Sequence, residues 1–404
     1  MQAVVFHDVG DIRLENVPDP HIQEPTDAIV KITSSAICGT DLHLIRGTVP
    51  GMEAGTIIGH EAVGTVEEVG RGVRNLVPGD RVVIPSTIGC GYCSYCRAGY
   101  YAQCDNANPH GKRAGTAFYG GPKTSGSFNG LQAERARIPF ASVNLVKLPP
   151  SVTDNQAILL SDIFPTGYFG SELAEIEPGD VVAIFGCGPV GQFAIASALL
   201  KSAGRIFAID TIPSRLDLAR GQGAEVIDYN ADDPVQAILE LTGGIGADRV
   251  IDAVGVDAAA PTQGPAAKEA KKLQHEFERE TKYVAPKTNP QGDDWHPGGA
   301  PSQVLRWAVD ALDKAGTHAI IGVYPESDMV YPIGKAMNKN LTVKMGNCNH
   351  RKYIPKLIDL VESETVHPEK ILTQVQPFSS VIDAYKSFDT RQPWWVKVEL
   401  QPGM

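Results

Sequence analysis

The stretch from Val181 to Asp210 constrains the fold most. An apolar run, Val181–Phe185, leads directly into Gly186-Cys187-Gly188-Pro189-Val190-Gly191, and Pro189–Lys201 then has the composition of a helix. Each glycine has a physical task. Gly186 permits a tight turn off the strand, Gly188 lets the backbone approach a pyrophosphate, and Gly191 lets the helix lie close against the strand. The helix start, with Pro189 in its first turn, offers free N–H groups and a positive dipole end to phosphates. Asp210 closes the next apolar run, Arg205–Asp210, nineteen residues after Gly191. A carboxylate there accepts from adenosine ribose hydroxyls and repels a 2′-phosphate, so NAD is favoured over NADP. Arg215, five residues on, is a partial counterweight to that preference. A glycine-rich turn in a nucleotide-free fold is the alternative, and the strand–turn–helix context with Asp210 weighs against it.

The same rhythm continues. Ser214–Arg220 reads as a helix, Val226–Asp228 as a strand, Pro234–Leu241 as a helix and Asp248–Asp252 as a strand. After an interruption come a helix at Ser302–Ala315 and a strand at Thr317–Val323. Alternation of this kind requires a parallel sheet covered on both faces. The interruption, Asp257–Ala300, is polar and dense in Gly, Pro, Lys and Glu, with a helical piece at Ala266–Lys282, and is expected to be an insertion. The residues before Pro149-Pro150 have a different texture. Short alternating runs such as Ala28–Thr33, Ala62–Val69 and Arg81–Pro85, separated by turn signals, predict a β-rich, barrel-like domain.

Length fits that division, since 404 residues suggest two or three domains, each large enough for its own core. A formal net charge of −11 argues against nucleic acid and anionic membranes, which want a basic face. Met1–Gly10 has no basic start and no apolar core of signal-peptide type, and no run reads as transmembrane. The expectation is a cytoplasmic enzyme with a small-molecule substrate.

Seven cysteines are present, and four of them form Cys90-x2-Cys93-x2-Cys96-x7-Cys104. Clustered thiols in a chain of this type favour metal over disulfides. Four thiolates in one loop make a closed, tetrahedral structural zinc site. An iron–sulfur centre of ferredoxin type would bring a second cysteine group or a Cys-Pro, and neither follows.

Two further fragments, Cys38-Gly39-Thr40-Asp41-Leu42-His43 and Gly59-His60-Glu61-Ala62-Val63-Gly64, are unremarkable singly. Taken with Val69-Gly70, Pro78-Gly79-Asp80-Arg81-Val82, the cysteine loop and the glycine turn, they resemble a zinc-dependent medium-chain dehydrogenase/reductase of the alcohol dehydrogenase superfamily. The resemblance covers nearly the whole chain. It implies an α/β protein with a GroES-like catalytic domain at residues 1–152, completed by 345–404, and a doubly wound Rossmann domain at 153–344 with an insertion at about 257–300. It implies two Zn2+ per chain, one catalytic and one structural, together with NAD.

Carried over by position, Cys38 and His60 are catalytic-zinc ligands and Glu61 is the neighbouring carboxylate that can enter the shell. Many relatives have a cysteine as third ligand; here Asp162, in Ser161-Asp162-Ile163-Phe164-Pro165-Thr166-Gly167, takes that position. A carboxylate is a reasonable zinc ligand; the simpler alternative is a helix cap. That substitution resembles the formaldehyde dehydrogenase and dismutase branch, as does Lys344-Met345-Gly346-Asn347-Cys348-Asn349-His350-Arg351. Thr40 and His43 match a proton relay, Thr166 and Val190 contacts to the nicotinamide, and Ile321–Val323 its other side.

Two departures stand out. Gly39 follows Cys38 where many relatives carry a basic residue, and a pyrophosphate arginine is replaced within Trp394-Trp395-Val396-Lys397. The phosphate charge then falls to backbone N–H groups or to His350 and Arg351, which otherwise read as solvated surface. The resulting expectation is a zinc-dependent alcohol dehydrogenase passing hydride between an alcohol or aldehyde and NAD(H), in a tetramer or dimer. The competing readings are a formaldehyde dehydrogenase or dismutase with tightly held NAD, a polyol or threonine dehydrogenase, and a non-catalytic NAD-binding protein. Retention of Cys38, His60, Asp162 and Thr40 together speaks against the last.

Overall fold

A computed structural model of the chain describes residues 1–285, 295, 298–328 and 330–403. Contacts divide these residues into two compact units. One holds Met1–Pro165, Trp295 and the chain from Asn347 onward; the other holds the chain from Thr166 to 285 and from 298 to Gly346.

Apolar, β-branched runs build the second unit. Its sheet has Glu225–Asp228, Arg205–Asp210, Val181–Phe185, Ala247–Asp252, Leu312–Ile320 and Thr342–Met345 side by side, every neighbour parallel. The first strand of the motif lies in the middle, with later strands added on both sides, which is the doubly wound order. Helices Pro189–Leu200, Pro213–Gly221 and Pro234–Leu241 alternate with these strands. Each begins on proline, whose fixed φ suits the first helical position. Ile184, Ile195, Ala208 and Ile251 share one fully packed cluster.

One boundary differs from expectation. The helix after the insertion, Gln303–Ala311, stops at Ala311, and the strand starts at once at Leu312. Leu312 already pairs with Ala247, so sheet registry ends the helix four residues before periodicity alone would. The insertion's helix runs Ala267–Val284 and is docked rather than solvated. Phe277 and Glu280 are buried, and the Glu280 carboxylate accepts from the Ser302 N–H at 3.2 Å and the Ser302 hydroxyl at 2.9 Å. Residues 286–294, 296 and 297 of the expected insertion lie outside the described residues.

The first unit is dominated by a seven-stranded sheet, antiparallel except at one edge, where Gln374–Pro377 runs parallel to Val398–Gln401. Ala28–Ile37 is its long central strand. Ala62–Val69 and Arg135–Ile138 pair along it, and Val398–Gln401 pairs with its end at Ser35–Ile37. Strand ends thus converge on Cys38, on Ala62 just after Glu61, and on Val398 just after Lys397. Trp295 packs in the same unit, its ring 6.5 Å from that of Tyr385, and its backbone N–H donates to Asp389 Oδ2 at 2.8 Å. Among the described residues no helix is long and apolar enough to cross a membrane.

Candidate active site and metal centres

Each ligand side chain is delivered by a chain break. Cys38 caps the helix Gly39–Arg46 where the central strand ends. His60 and Glu61 follow Gly59, whose φ of +88° is left-handed and whose missing Cβ leaves room for the Gln132 side chain. Asp162, at φ −141°, breaks the path between helices Asp154–Ser161 and Ile163–Leu173. The break is pinned from below: the Ser161 hydroxyl donates to the Ile84 carbonyl at 2.5 Å and accepts from the Ala62 N–H at 3.1 Å.

Sulfur, nitrogen and carboxylate ligand atoms of Cys38, His60, Glu61 and Asp162 all lie within 4.8 Å of one another, and all four residues are buried. His60 Nε2 is 3.2 Å from Asp162 Oδ2, and Cys38 Sγ is 3.5 Å from the same oxygen. Ligands on a tetrahedral zinc at ordinary bond lengths would stand about 3.3 Å (N to O) and about 3.6 Å (S to O) apart. Both edges that meet at Asp162 Oδ2 thus match tetrahedral spacing. Electrostatics agree. Burial and the Asp162 charge push the Cys38 thiol up to about 11. A divalent cation is what such a site needs to hold a thiolate beside a carboxylate.

The surroundings fix these ligands. Asp41, in the first turn after Cys38, accepts from the Cys38 N–H at 3.0 Å with Oδ2, and its Oδ1 stands 3.0 Å from His60 Nδ1. A carboxylate behind one ring nitrogen aims the other at the metal. Burial pulls the His60 imidazole down, but the Asp41 and Cys38 charges and hydrogen bonds to Asp162 and Asp41 outweigh it, and the shift is upward. Asp162 behaves similarly. Burial raises its carboxyl, yet donors from His350 and His60 leave it well below the usual range.

His350 is neither a surface residue nor free for cofactor phosphates. It is buried, and its Nε2 lies 2.7 Å from Asp162 Oδ1. Lys397, to which the sequence assigned no role, is buried as well. Its Nζ contacts both Glu61 oxygens, at 2.5 and 2.7 Å, and donates to the Ile37 carbonyl at 3.0 Å. Burial pulls the ammonium down, but the facing carboxylate outweighs it and the shift is upward. Glu61, pushed up by burial to about 7 against the pull of Lys397, is thereby tied to a cation as well as close to the ligands. Thr40 is half-buried in the first turn of the Gly39–Arg46 helix, and His43 is buried two residues before the Ile45 core position. Arg351 is half-buried, and its Nε is an interior atom without a hydrogen-bond partner among the described residues.

Asp41, His350 and Lys397 were not singled out for these positions by sequence. A carboxylate three residues after a helix-capping ligand was the available sign for Asp41. For Lys397 the sign was a lone charge within the otherwise apolar stretch Trp394–Val398. For His350 there was none, since its partner is 188 residues away.

The four-cysteine loop also closes. All four sulfurs lie within 4.8 Å of one another, and Cys93 and Cys104 are 3.9 Å apart, against about 3.8 Å for a tetrahedral Zn–S4 edge. Backbone N–H groups of Cys90, Cys93, Cys96 and Asn106 donate to these sulfurs at 3.2–3.4 Å. Donors converging on sulfur suit thiolates. None of the seven cysteines is in a disulfide.

In the second unit Gly186 has φ +90°, and a Cβ on Gly191 would fall 1.8 Å from the Gly186 carbonyl oxygen. Turn and helix touch there. Asp210 Oδ2 accepts from the Cys187 N–H at 2.8 Å, Oδ1 accepts from Thr211 and Ile212, and Arg215 stands 3.9 Å away. Gly188 and Pro189 open the helix, followed by Val190. Thr166 lies on the helix Ile163–Leu173, and Ile321 and Val323 directly follow the strand Leu312–Ile320.

Comparison with known proteins identifies the family. Residues 24–150 match the alcohol dehydrogenase GroES-like domain, and residues 189–264 match the zinc-binding dehydrogenase domain. An uncharacterised zinc-type alcohol dehydrogenase-like protein of Bacillus subtilis is 36% identical over 406 residues, covering 100% of both chains. The glutathione-independent formaldehyde dehydrogenase of Pseudomonas aeruginosa is 38% identical over 268 residues, 64% of this chain and 66% of that one. Among solved structures, an alcohol dehydrogenase from Thermus sp. ATN1 superposes with a TM-score of 0.80 at 33% identity, covering 100% of each.

Proposed function

The chain belongs to the zinc-binding alcohol dehydrogenases, and from that premise we propose that it transfers hydride between a small alcohol or aldehyde and NAD(H), with two zinc ions per chain. The observation that carries the reading is that Asp162 Oδ2 stands at tetrahedral-edge distance from both Cys38 Sγ and His60 Nε2 in a buried cluster. Zinc held there supplies Lewis acidity to an alcohol hydroxyl, and a bound nicotinamide supplies the hydride acceptor. Asp41 holds His60 with Nε2 toward the ligand cluster. Thr40, two residues past Cys38, accepts the hydroxyl proton, and His43 on the same helix carries it onward. Glu61, tied to Lys397, tempers the field of the site.

In the second unit, Asp210 at the end of its strand is the basis for NAD over NADP, with Arg215 beside it. Gly186, Gly188, Pro189 and Gly191 cradle the pyrophosphate on the helix start. Thr166, Val190, Ile321 and Val323 flank the nicotinamide. A cytoplasmic homo-oligomer, dimer or tetramer, completes the reading. Formaldehyde is a second candidate substrate, favoured by Asp162 at the third-ligand position and by the likeness to the Pseudomonas enzyme.

The test is NADH release across short, branched, aromatic and polyol alcohols and formaldehyde, with zinc counted per chain. Two zinc ions, turnover, and its loss in Asp162→Ala are expected. One zinc and no turnover would sink the proposal. Steady NADH release from added NAD separates a dehydrogenase from a dismutase that retains its cofactor.

A further inference from the structure

We propose that His350 is a positioning residue for the third ligand: it holds Asp162 monodentate, with Oδ2 committed to the metal and Oδ1 committed to the histidine. The inference rests on the zinc reading of Cys38, His60 and Asp162. Its starting point is hydrogen-bond bookkeeping. A carboxylate oxygen only accepts, so a 2.7 Å contact from His350 Nε2 to Asp162 Oδ1 requires the proton on Nε2. The other ring nitrogen, Nδ1, lies 3.1 Å from the Thr87 hydroxyl, which is 3.3 Å from the Cys348 carbonyl; Ser86 Oγ is 3.3 Å from Nε2. The ring therefore has a polar partner at each nitrogen, Asp162 at Nε2 and Thr87, in the segment after the strand Arg81–Ile84, at Nδ1, which orients it toward Asp162.

Aspartate needs this grip for a conformational reason. One torsion places a cysteine sulfur, whereas a carboxylate has a further, broad torsion about its last bond. Left alone, Asp162 could rotate, present both oxygens or exchange them. The backbone does not prevent this, because Asp162 sits in a break between two helices. With Oδ1 engaged, only Oδ2 faces Cys38 and His60, at 3.5 and 3.2 Å. One metal position then remains open for substrate, as a catalytic zinc requires. Asp162 and His350 thus act as one device, in which a histidine supplies the rigidity that a thiolate ligand would have had by itself.

The experiment compares His350→Leu, His350→Gln and the parent in three readouts: zinc retained against a competing chelator, the visible spectrum with Co(II) in the catalytic site, and the separate values of kcat and KM. Removal of a hydrogen-bond partner behind a metal ligand weakens affinity by about 10–100-fold. The Leu variant is expected to lose catalytic zinc to that extent, to keep structural zinc, and to show altered Co(II) bands. The Gln variant, which keeps an N–H donor, is expected to recover most of the affinity and the parental spectrum. In an Asp162→Cys background, His350→Leu is expected to have little effect on metal retention.

Unchanged metal affinity and spectrum in the Leu variant would overturn the proposal, and so would equal losses in Leu and Gln. The retained structural zinc reports that each variant is folded. If the parent itself binds a single zinc, the underlying metal reading fails, which is a separate result.

Discussion

Lys397→Met isolates the most deeply buried charge pair of the site. Both side chains are 0% exposed, and Nζ makes three contacts: 2.5 and 2.7 Å to the Glu61 carboxylate and 3.0 Å to the Ile37 carbonyl. Methionine nearly conserves volume, so packing changes little, but Glu61 and the Ile37 carbonyl lose their donor. Removing one partner of a buried pair costs about 3–5 kcal/mol, mainly because the other charge is left unpaired. At about 1.4 kcal/mol per tenfold, the folded-to-unfolded ratio falls by roughly a hundred- to several-thousand-fold. Against a typical stability of about 5–15 kcal/mol the protein still folds, with a clearly lower urea midpoint. The readout is urea unfolding followed by circular dichroism on the zinc-loaded protein. The double variant Glu61→Gln/Lys397→Met has no orphaned charge and should recover at least half of the loss. A single variant within about 1 kcal/mol of the parent would refute the reasoning, as would a double variant no more stable than the single.

Three other outcomes follow from the geometry. Burial holds the His318 imidazole down to about 3, against about 6.5 when unfolded, so stability is full above pH 6.5 and is lost as pH falls toward 3. By pH 5 that loss is about 2 kcal/mol, and His318→Phe, which keeps a ring against Tyr331, should gain that much on the parent between pH 7 and pH 5; parallel pH profiles of the two would contradict it. Gly191→Ala puts a Cβ 1.8 Å from the Gly186 carbonyl and should weaken NAD binding by about 10–100-fold in calorimetric titration, the size of an overpacking penalty; unchanged binding would count against the fingerprint. Cys93→Ser should remove one zinc per chain and lower the thermal midpoint while leaving catalytic zinc in place, and a variant still holding two zinc ions would exclude Cys93 as a structural ligand.

The sequence made visible what depends on local spacing. Val181–Phe185, the glycine turn and Asp210 lie within one supersecondary unit, and the parallel sheet built on them follows from period and turn chemistry alone. The cysteine loop is equally local, with all four sulfurs delivered by fifteen consecutive residues. Cys38, His60 and Asp162 are far apart in the chain, and their convergence was legible only through the resemblance of their flanking motifs. The end of the helix at Ala311 was not legible, because the strand pairing that terminates it belongs to another part of the chain.

The supporting residues were hidden for the same physical reason, as Lys397 and His350 show. A polar side chain is expensive to bury alone, so from sequence His350 read as solvated surface or a phosphate contact, and Lys397 had no assigned role. What makes their burial affordable is a carboxylate supplied from a distant position: Glu61, 336 residues from Lys397, and Asp162, 188 residues from His350. The strand pairing of Val398–Leu400 with Ser35–Ile37 creates the first juxtaposition, and the break at Asp162 creates the second. A buried polar side chain therefore carries information only jointly with its partner. The catalytic ligands are read from motifs, whereas the charges that hold those ligands in place are fixed by sheet order, and removing either member of a pair should be felt at the other.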